Sequence, residues 1–229
     1  SKAVVVVATA DEPALVRITA GLTATTIAEY FRDQGEDVLL IVDSLTRLAR
    51  AQREVGLAVG ETPTTRGYPP SMYELLPRLL ERAGTGEVGT ITGVYSVLVE
   101  GDDFTEPVTD AVSAALDGHV VLSRELSEQG HYPAIDVTAS VSRLMTQVVD
   151  IEQARAAAHV RSLLAARREI ADLLAVGAYR PGSRPLADEA LRQEQRLMAF
   201  LRQAEDETSS AEETRRRLLE FLPRPVDAA

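Results

Sequence analysis

Cysteine is absent from the 229 residues, lysine occurs once, at Lys2, and histidine only three times. Without cysteine there can be no disulfide framework and no thiolate metal site, which fits a reducing compartment. With so few imidazoles, zinc chemistry is not expected. No run approaches the ~20 apolar residues that cross a bilayer, and residues 3–8 are too short for the core of a signal peptide, so the expectation is a soluble, cytoplasmic chain. The single lysine leaves no Gly-x-x-x-x-Gly-Lys-[Ser/Thr] phosphate loop anywhere in the sequence. A formal net charge of −11 argues against a general nucleic-acid binder, whose affinity comes from neutralising phosphates.

What is present supports a folded chain: 45% of the residues are hydrophobic, enough for one large domain or a medium domain plus a small one. Nearly all the basic residues are arginines, and they recur in the last third mixed with Glu and Asp. That pattern suits solvated helix faces laced with i,i+4 ion pairs, or else a docking face for a protein partner.

Up to about residue 145, short β-branched apolar runs alternate with longer helical patterns, the signature of βα units on a mainly parallel sheet. Residues 4–9 form a near-continuous apolar run, expected for a strand covered on both faces. A helix follows over 14–33, stopped by Gln34-Gly35, then a strand over 38–42, a helix over 45–54 and a loop over 56–70 rich in Gly, Thr and Pro. Helical periodicity returns over 72–83, with Pro77 as a kink or first-turn proline. Residues 88–99 and 119–123 read as strands, separated by a loop at 100–107 and a helix to 116. From about 147 the spacing becomes all-helical: one long helix over 147–176 ending at Gly177, a turn at 179–183, a helix over 186–206 and a last one over 210–221. Ser209 or Ser210 with Glu212 or Glu213 forms a capping box, and residues 223–229 are expected to fray.

Two segments carry chemistry. In Asp37-Val38-Leu39-Leu40-Ile41-Val42-Asp43-Ser44-Leu45-Thr46-Arg47 an apolar strand delivers a carboxylate at its carboxyl end, where open α/β sheets bind ligands. Nucleotide hydrolases hold a water of the Mg²⁺ shell with such an aspartate. Asp43 could equally cap the following helix, and Arg47, one turn on, could simply pair with it. In Gly130-His131-Tyr132-Pro133-Ala134-Ile135-Asp136, Tyr-Pro fixes an extended turn that could hold a phenol ring for stacking on a base. Arg143, at the end of the small polar stretch that follows, offers a planar fork suited to a γ-phosphate. The plainer alternatives are a core plug for Tyr132 and a surface ion pair for Arg143. His119 and His131 read as turn or core residues, and Asp102-Asp103 as a solvated acidic loop.

With these residues in place, the chain resembles the ATPases of flagellar and virulence type III protein export, relatives of the rotary ATP synthase catalytic subunit. The matching text runs in family order over residues 1 to about 200: Val4-Val-Val-Val-Ala-Thr, Ile27-Ala-Glu-Tyr-Phe-Arg-Asp-Gln-Gly, Asp43-Ser-Leu-Thr-Arg, Glu61-Thr-Pro-Thr-Thr-Arg-Gly-Tyr-Pro-Pro-Ser, Leu76-Pro-Arg-Leu-Leu-Glu-Arg, Val99-Glu-Gly-Asp-Asp, Leu116-Asp-Gly-His and Gly130-His-Tyr-Pro-Ala-Ile-Asp. The resemblance implies a partial RecA-like α/β nucleotide-hydrolase core over 1–146, followed by an all-helical domain over 147–229. Asp43 becomes the Walker B aspartate, touching Mg²⁺ through a bound water. Arg47 reaches toward the γ-phosphate side, Tyr132 with Pro133 packs on the adenine of ATP, and Arg143 is an arginine finger acting on a neighbouring subunit's ATP. The loops at 61–70 and 100–106 line the pore of a homohexameric ring and meet a central stalk. Stator proteins, export substrates and their chaperones are the other implied partners, with no nucleic acid and a peripheral place at the bacterial inner membrane.

The family's N-terminal β-barrel, phosphate loop and catalytic glutamate all precede the point matching Ser1. The resemblance therefore implies the C-terminal part of a longer enzyme, inactive when isolated, with an incomplete sheet that exposes apolar surface. Two rivals remain: a non-catalytic ring or stator subunit, and a hexameric nucleic-acid translocase. The acidic balance and the 61–71 match weigh against the second.

Overall fold

The computed structural model describes residues 3–99, 101 and 103–223. Lys2, Glu100, Asp102 and the tail beyond Pro223, on which parts of the reading above fall, lie outside the described residues. The chain forms two compact units, Ser1–Leu116 and Asp117–Ala229. Among the described residues no helix is long and apolar enough to cross a membrane.

In the first unit, β1 (Asp37–Val42) and β3 (Thr90–Tyr95) run parallel, with Asp37 opposite Thr90 and Val42 opposite Tyr95. The short β2 (Gly84–Thr85) pairs antiparallel on the far side of β3. Helix α1 (Ala14–Asp33) covers one face of this sheet, burying Ala28 against Leu40 and Ile91. The main core lies where α1 meets α2 (Leu45–Ala58), α3 (Pro70–Leu80) and α4 (Pro107–Ala115), around Leu45, Met72, Leu76, Leu79 and Val108. Pro70 occupies the first turn of α3, where its missing N–H costs nothing, whereas Pro77 sits inside the helix.

The other sheet face is bare: Leu39 is 61% and Ile41 66% exposed, and Val94 beside them is also open. The continuous apolar run of β1 suggested burial on both faces; its alternate residues Val38, Leu40 and Val42 alone pack inward. Residues 4–9, expected as a strand, are not one. Among the described residues they join no ladder and are mostly exposed, and an apolar run without an adjacent strand leaves most of its backbone groups to water.

Helix α2 continues four residues past the expected stop, through a glycine read as loop. A Cβ at Gly56 would stand 2.7 Å from Pro69 Cγ and 2.9 Å from Pro69 Cβ, so only glycine lets α2 approach this buried proline. Gly56→Ala should therefore destabilise the protein. Overpacking costs about 1–3 kcal/mol, which outweighs a helix-propensity gain of about 1 kcal/mol, and denaturant unfolding should show the loss. The Tyr95 hydroxyl, conversely, is buried with no hydrogen-bond partner among the described residues. Burial pushes its ionisation upward, and Tyr95→Phe should be neutral or stabilising by up to about 1 kcal/mol in the same assay.

In the second unit, β4 (Gly118–Leu122) and β5 (Ile135–Ser142) form an antiparallel pair with a register shift between His119 and Val121. The expected sheet was mainly parallel; among the described residues the parallel pairing is that of β1 with β3, and β5 was not anticipated as a strand. The short α5 (Arg124–Glu128) connects β4 to β5. The single helix expected over 147–176 is three: α6 (Met145–Val148), α7 (Ile151–Glu169) and α8 (Ala171–Ala175). Asp150 leaves the helical path to cap α7, accepting from Gln153 N at 2.8 Å. Ile170 interrupts it again to bury fully against Ala166 and Ala187. Helical periodicity alone does not register such caps.

Two residues past the end of α8 stands Gly177, whose φ is +67°. Helix α9 (Pro185–Leu201) and α10 (Ala211–Leu219) then close on α7 around Val160, Leu163, Leu197 and Phe221. Ser210 caps α10 by accepting from Glu213 N, while the Glu213 carboxylate pairs with Arg216, so only half of the capping box forms. Many of the late arginines bridge helices rather than turns of one helix, as in Arg167–Glu194 and Arg215–Asp150. Exposed pairs of this kind contribute little each.

Candidate functional site

Asp43 stands exposed immediately after β1. It does not cap α2, because Ser44 does so, its hydroxyl accepting from Arg47 N at 3.4 Å. Nor does an ion pair join Asp43 to Arg47 among the described residues; Arg47 is exposed on the first turn of α2. Instead Ser96 donates its hydroxyl to Asp43 Oδ1 at 2.8 Å. The parallel ladder continues past the strand ends to make this contact: Ser96 N donates to Val42 O, and Leu45 N donates to Ser96 O, each at 3.0 Å. Leu98 N donates to the buried Thr46 hydroxyl at 2.8 Å.

The loop that follows α2 is held by Glu61, which accepts from Ser71 N at 3.0 Å. At its tip Arg66 adopts a left-handed conformation with φ 52° and pairs with Asp103. Behind the tip the buried Tyr68 donates to Glu106 at 3.3 Å, and Thr109 donates to the other oxygen of the same carboxylate at 3.2 Å. Burial first and the Glu106 charge second raise the Tyr68 phenol above its usual range. The loop at 61–70 is thus latched to Asp103 at its tip and to Glu106 behind it.

Asp103 is held at a pKa of about 2, first by the Thr105 hydroxyl and then by Arg66. With the folded pKa below the unfolded one, its contribution is complete above the ordinary carboxylate range and lost as pH falls through about 2. A carboxyl NMR titration should place the Asp103 midpoint near that value, and Thr105→Val should raise it.

In the second unit, Tyr132 is 55% exposed, with its hydroxyl 2.9 Å from Ser127 Oγ, and Pro133 is exposed beside it. The ring is no core plug; its neighbour His131 is, with burial lowering the imidazole pKa. Gln203 N, just past α9, donates to Tyr132 O at 2.9 Å. Arg143 follows β5 directly, its side chain exposed and its N–H donating to Asp117 O at 2.7 Å. Tyr132 and Arg143 therefore lie before and after β5, whose Ile135 pairs with Leu122 and whose Ser142 pairs with Gly118. Asp136 organises that strand: Oδ1 accepts from Thr138 N, Thr138 Oγ1 and Ala139 N, and Oδ2 accepts from Arg168 on α7.

The donor set suits Mg²⁺–ATP in part. Asp43, exposed and with one carboxylate oxygen already accepting from Ser96, fits a carboxylate whose other oxygen accepts from metal-bound water. An exposed, oriented phenol fits the face of a base, and an exposed guanidinium fits a phosphate.

A parallel strand pair that delivers an exposed carboxylate to a helix start, backed by packed helices, fits a RecA-like α/β fold, the class to which the similar proteins belong. Residues 1–142 match the model of the ATP synthase alpha/beta family, nucleotide-binding domain, and the chain belongs to that family. Residues 149–220 match the EscN ATPase C-terminal domain of type III secretion systems. The flagellum-specific ATP synthase of Bacillus subtilis is 50% identical over 213 residues, 93% of this chain and 49% of that protein. The type 3 secretion system ATPase of Xanthomonas euvesicatoria is 50% identical over 229 residues, 100% of this chain and 51% of that protein. Among solved structures, the assembled ATPase EscN from enteropathogenic E. coli superposes with a TM-score of 0.90 at 48% identity, over 93% of this chain and 52% of that one. EscN in complex with its central stalk EscO gives 0.85 at 47% identity, over 93% and 51%. The chain spans about half the length of the curated relatives it matches.

Proposed function

We propose that this chain is part of an ATP-hydrolysing motor that energises flagellar or type III protein export. The observation that carries the proposal is the passage, within one chain, from a nucleotide-binding domain of the ATP synthase family into a secretion-ATPase C-terminal domain. The functional division then falls at 146/147: an ATPase core part over 1–146 and a helical domain over 147–229. In the intact enzyme, bound Mg²⁺–ATP supplies the transferable phosphoryl group and much of the charge neutralisation. Asp43 accepts a hydrogen bond from a metal-bound water, and Arg47 offers positive charge one helical turn away. Tyr132, with Pro133 fixing its turn, stacks on the adenine. Arg143 places its planar fork on the transferring phosphoryl of the adjacent subunit.

The placement of Tyr132 and Arg143 beyond opposite ends of β5 supports this division of labour. A homohexameric ring brings one subunit's Arg143 to its neighbour's nucleotide. The loops at 61–70 and 100–106 face the pore and a central stalk, and the helical domain meets stator proteins, export substrates and chaperones. The motor works in the cytoplasm, peripheral to the inner membrane.

The purified chain should show no Mg²⁺-dependent ATP turnover, since the phosphate cradle that supplies much of the binding is not in its sequence. A full-length ATPase carrying the chain should hydrolyse ATP. Turnover by the chain alone, or none by the full-length protein, would contradict the proposal.

A further inference from the structure

We infer that Ser96 is a positioning residue for the nucleotide-bound metal, acting through Asp43; the inference rests on the reading of Asp43 given above. The geometry that points to it is a bracket. Ser96 N donates to Val42 O and Ser96 O accepts from Leu45 N, so the backbone of Ser96 is bonded to residues on either side of Asp43. Leu98, two residues further, is tied by its N–H to Thr46 on the first turn of α2. With the backbone held at both ends, the Ser96 side chain meets the Asp43 carboxylate, and its hydroxyl donates to Oδ1 at 2.8 Å.

A hydroxyl on one oxygen sets the rotation of the carboxylate and leaves the other to accept from a metal-bound water. Such a contact strengthens metal binding by holding the carboxylate in its working orientation, as partners of metal-associated carboxylates generally do. It contributes little to folding, because both residues are exposed and water competes for the bond. A residue that shapes only the fold should alter stability and leave metal affinity alone. Ser96 should do the reverse.

The experiment uses the full-length ATPase carrying this chain and a fluorescent, non-hydrolysable ATP analogue. Its affinity is measured with Mg²⁺ and with chelator, and the ratio gives the tightening due to the metal. Ser96→Ala should reduce that tightening roughly tenfold, the lower end of what loss of a partner of a metal-associated carboxylate costs. The chelator affinity and thermal midpoint should stay unchanged, and Ser96→Thr, which keeps a hydroxyl, should restore most of the ratio. In the Asp43→Ala background, Ser96→Ala should have no further effect, because the two residues act as one unit. An unchanged ratio in Ser96→Ala, with Asp43→Ala lowering it, overturns the role of Ser96 alone. A ratio unchanged in Asp43→Ala overturns the assignment of Asp43 and Ser96 together.

Discussion

Arg143→Ala in a full-length ATPase carrying this chain should lower kcat about 10³-fold or more, with little change in KM for ATP. The size follows from the role: an arginine supplied to a transferring phosphoryl group stabilises charge that develops only in the transition state, and such groups contribute 10³–10⁵ in rate. A loss of 10³ corresponds to about 4 kcal/mol of transition-state stabilisation. If, as proposed, other residues hold the ground-state nucleotide, kcat and kcat/KM should fall together. Lysine should not rescue, since a point charge lacks the planar fork. The Arg143 side chain is exposed after β5, and a thermal melt on the same sample separates lost chemistry from lost fold. Steady-state kinetics with both readouts is the check.

Asp43→Asn should reduce kcat by about 10²–10³, the scale of deleting one preorganised electrostatic group, and it should do so in a different way. Asparagine keeps an oxygen able to accept the Ser96 hydroxyl, which now meets Asp43 Oδ1 at 2.8 Å, so the strand end should stay intact. On the proposed reading, what disappears is the negative charge that faces the metal shell. The half-saturating free Mg²⁺ should therefore rise, whereas Arg143→Ala should leave it unmoved. A Mg²⁺ titration of turnover for both variants distinguishes the two sides of the site.

Much of this was legible along the chain, for reasons that also mark where legibility stops. The limits of α1 follow from amphipathic spacing and the Gln34-Gly35 stop, and the structure places them at Ala14–Asp33. Asp43 announces itself because an apolar strand leading to a carboxylate and then a helix start is a local pattern. The run at 4–9 misleads because a strand exists only with a neighbour, and composition does not say whether one is there. Strand β5 escaped notice because its Thr138-Ala139-Ser140 portion carries no hydrophobic alternation and is shaped by Asp136 bonding to the backbone that follows. Helix α7 begins at a cap and ends at a buried Ile170, both tertiary decisions laid over an uninterrupted helical period. Ser96 could not be found from the sequence at all, since it meets Asp43 across 53 residues and only through the parallel register of β1 and β3.

The most direct measurement is ATP turnover by full-length Arg143→Ala and Asp43→Ala proteins, each alone and then mixed in varying ratio. If Asp43 and Arg143 serve one nucleotide across a subunit boundary, each variant alone is inactive, and mixing creates boundaries where an intact Asp43 faces an intact Arg143. Activity then returns in proportion to such boundaries. Mixtures as inactive as their parents, or near-normal turnover by Arg143→Ala alone, would contradict a shared site and turn this half of the chain into an interaction module.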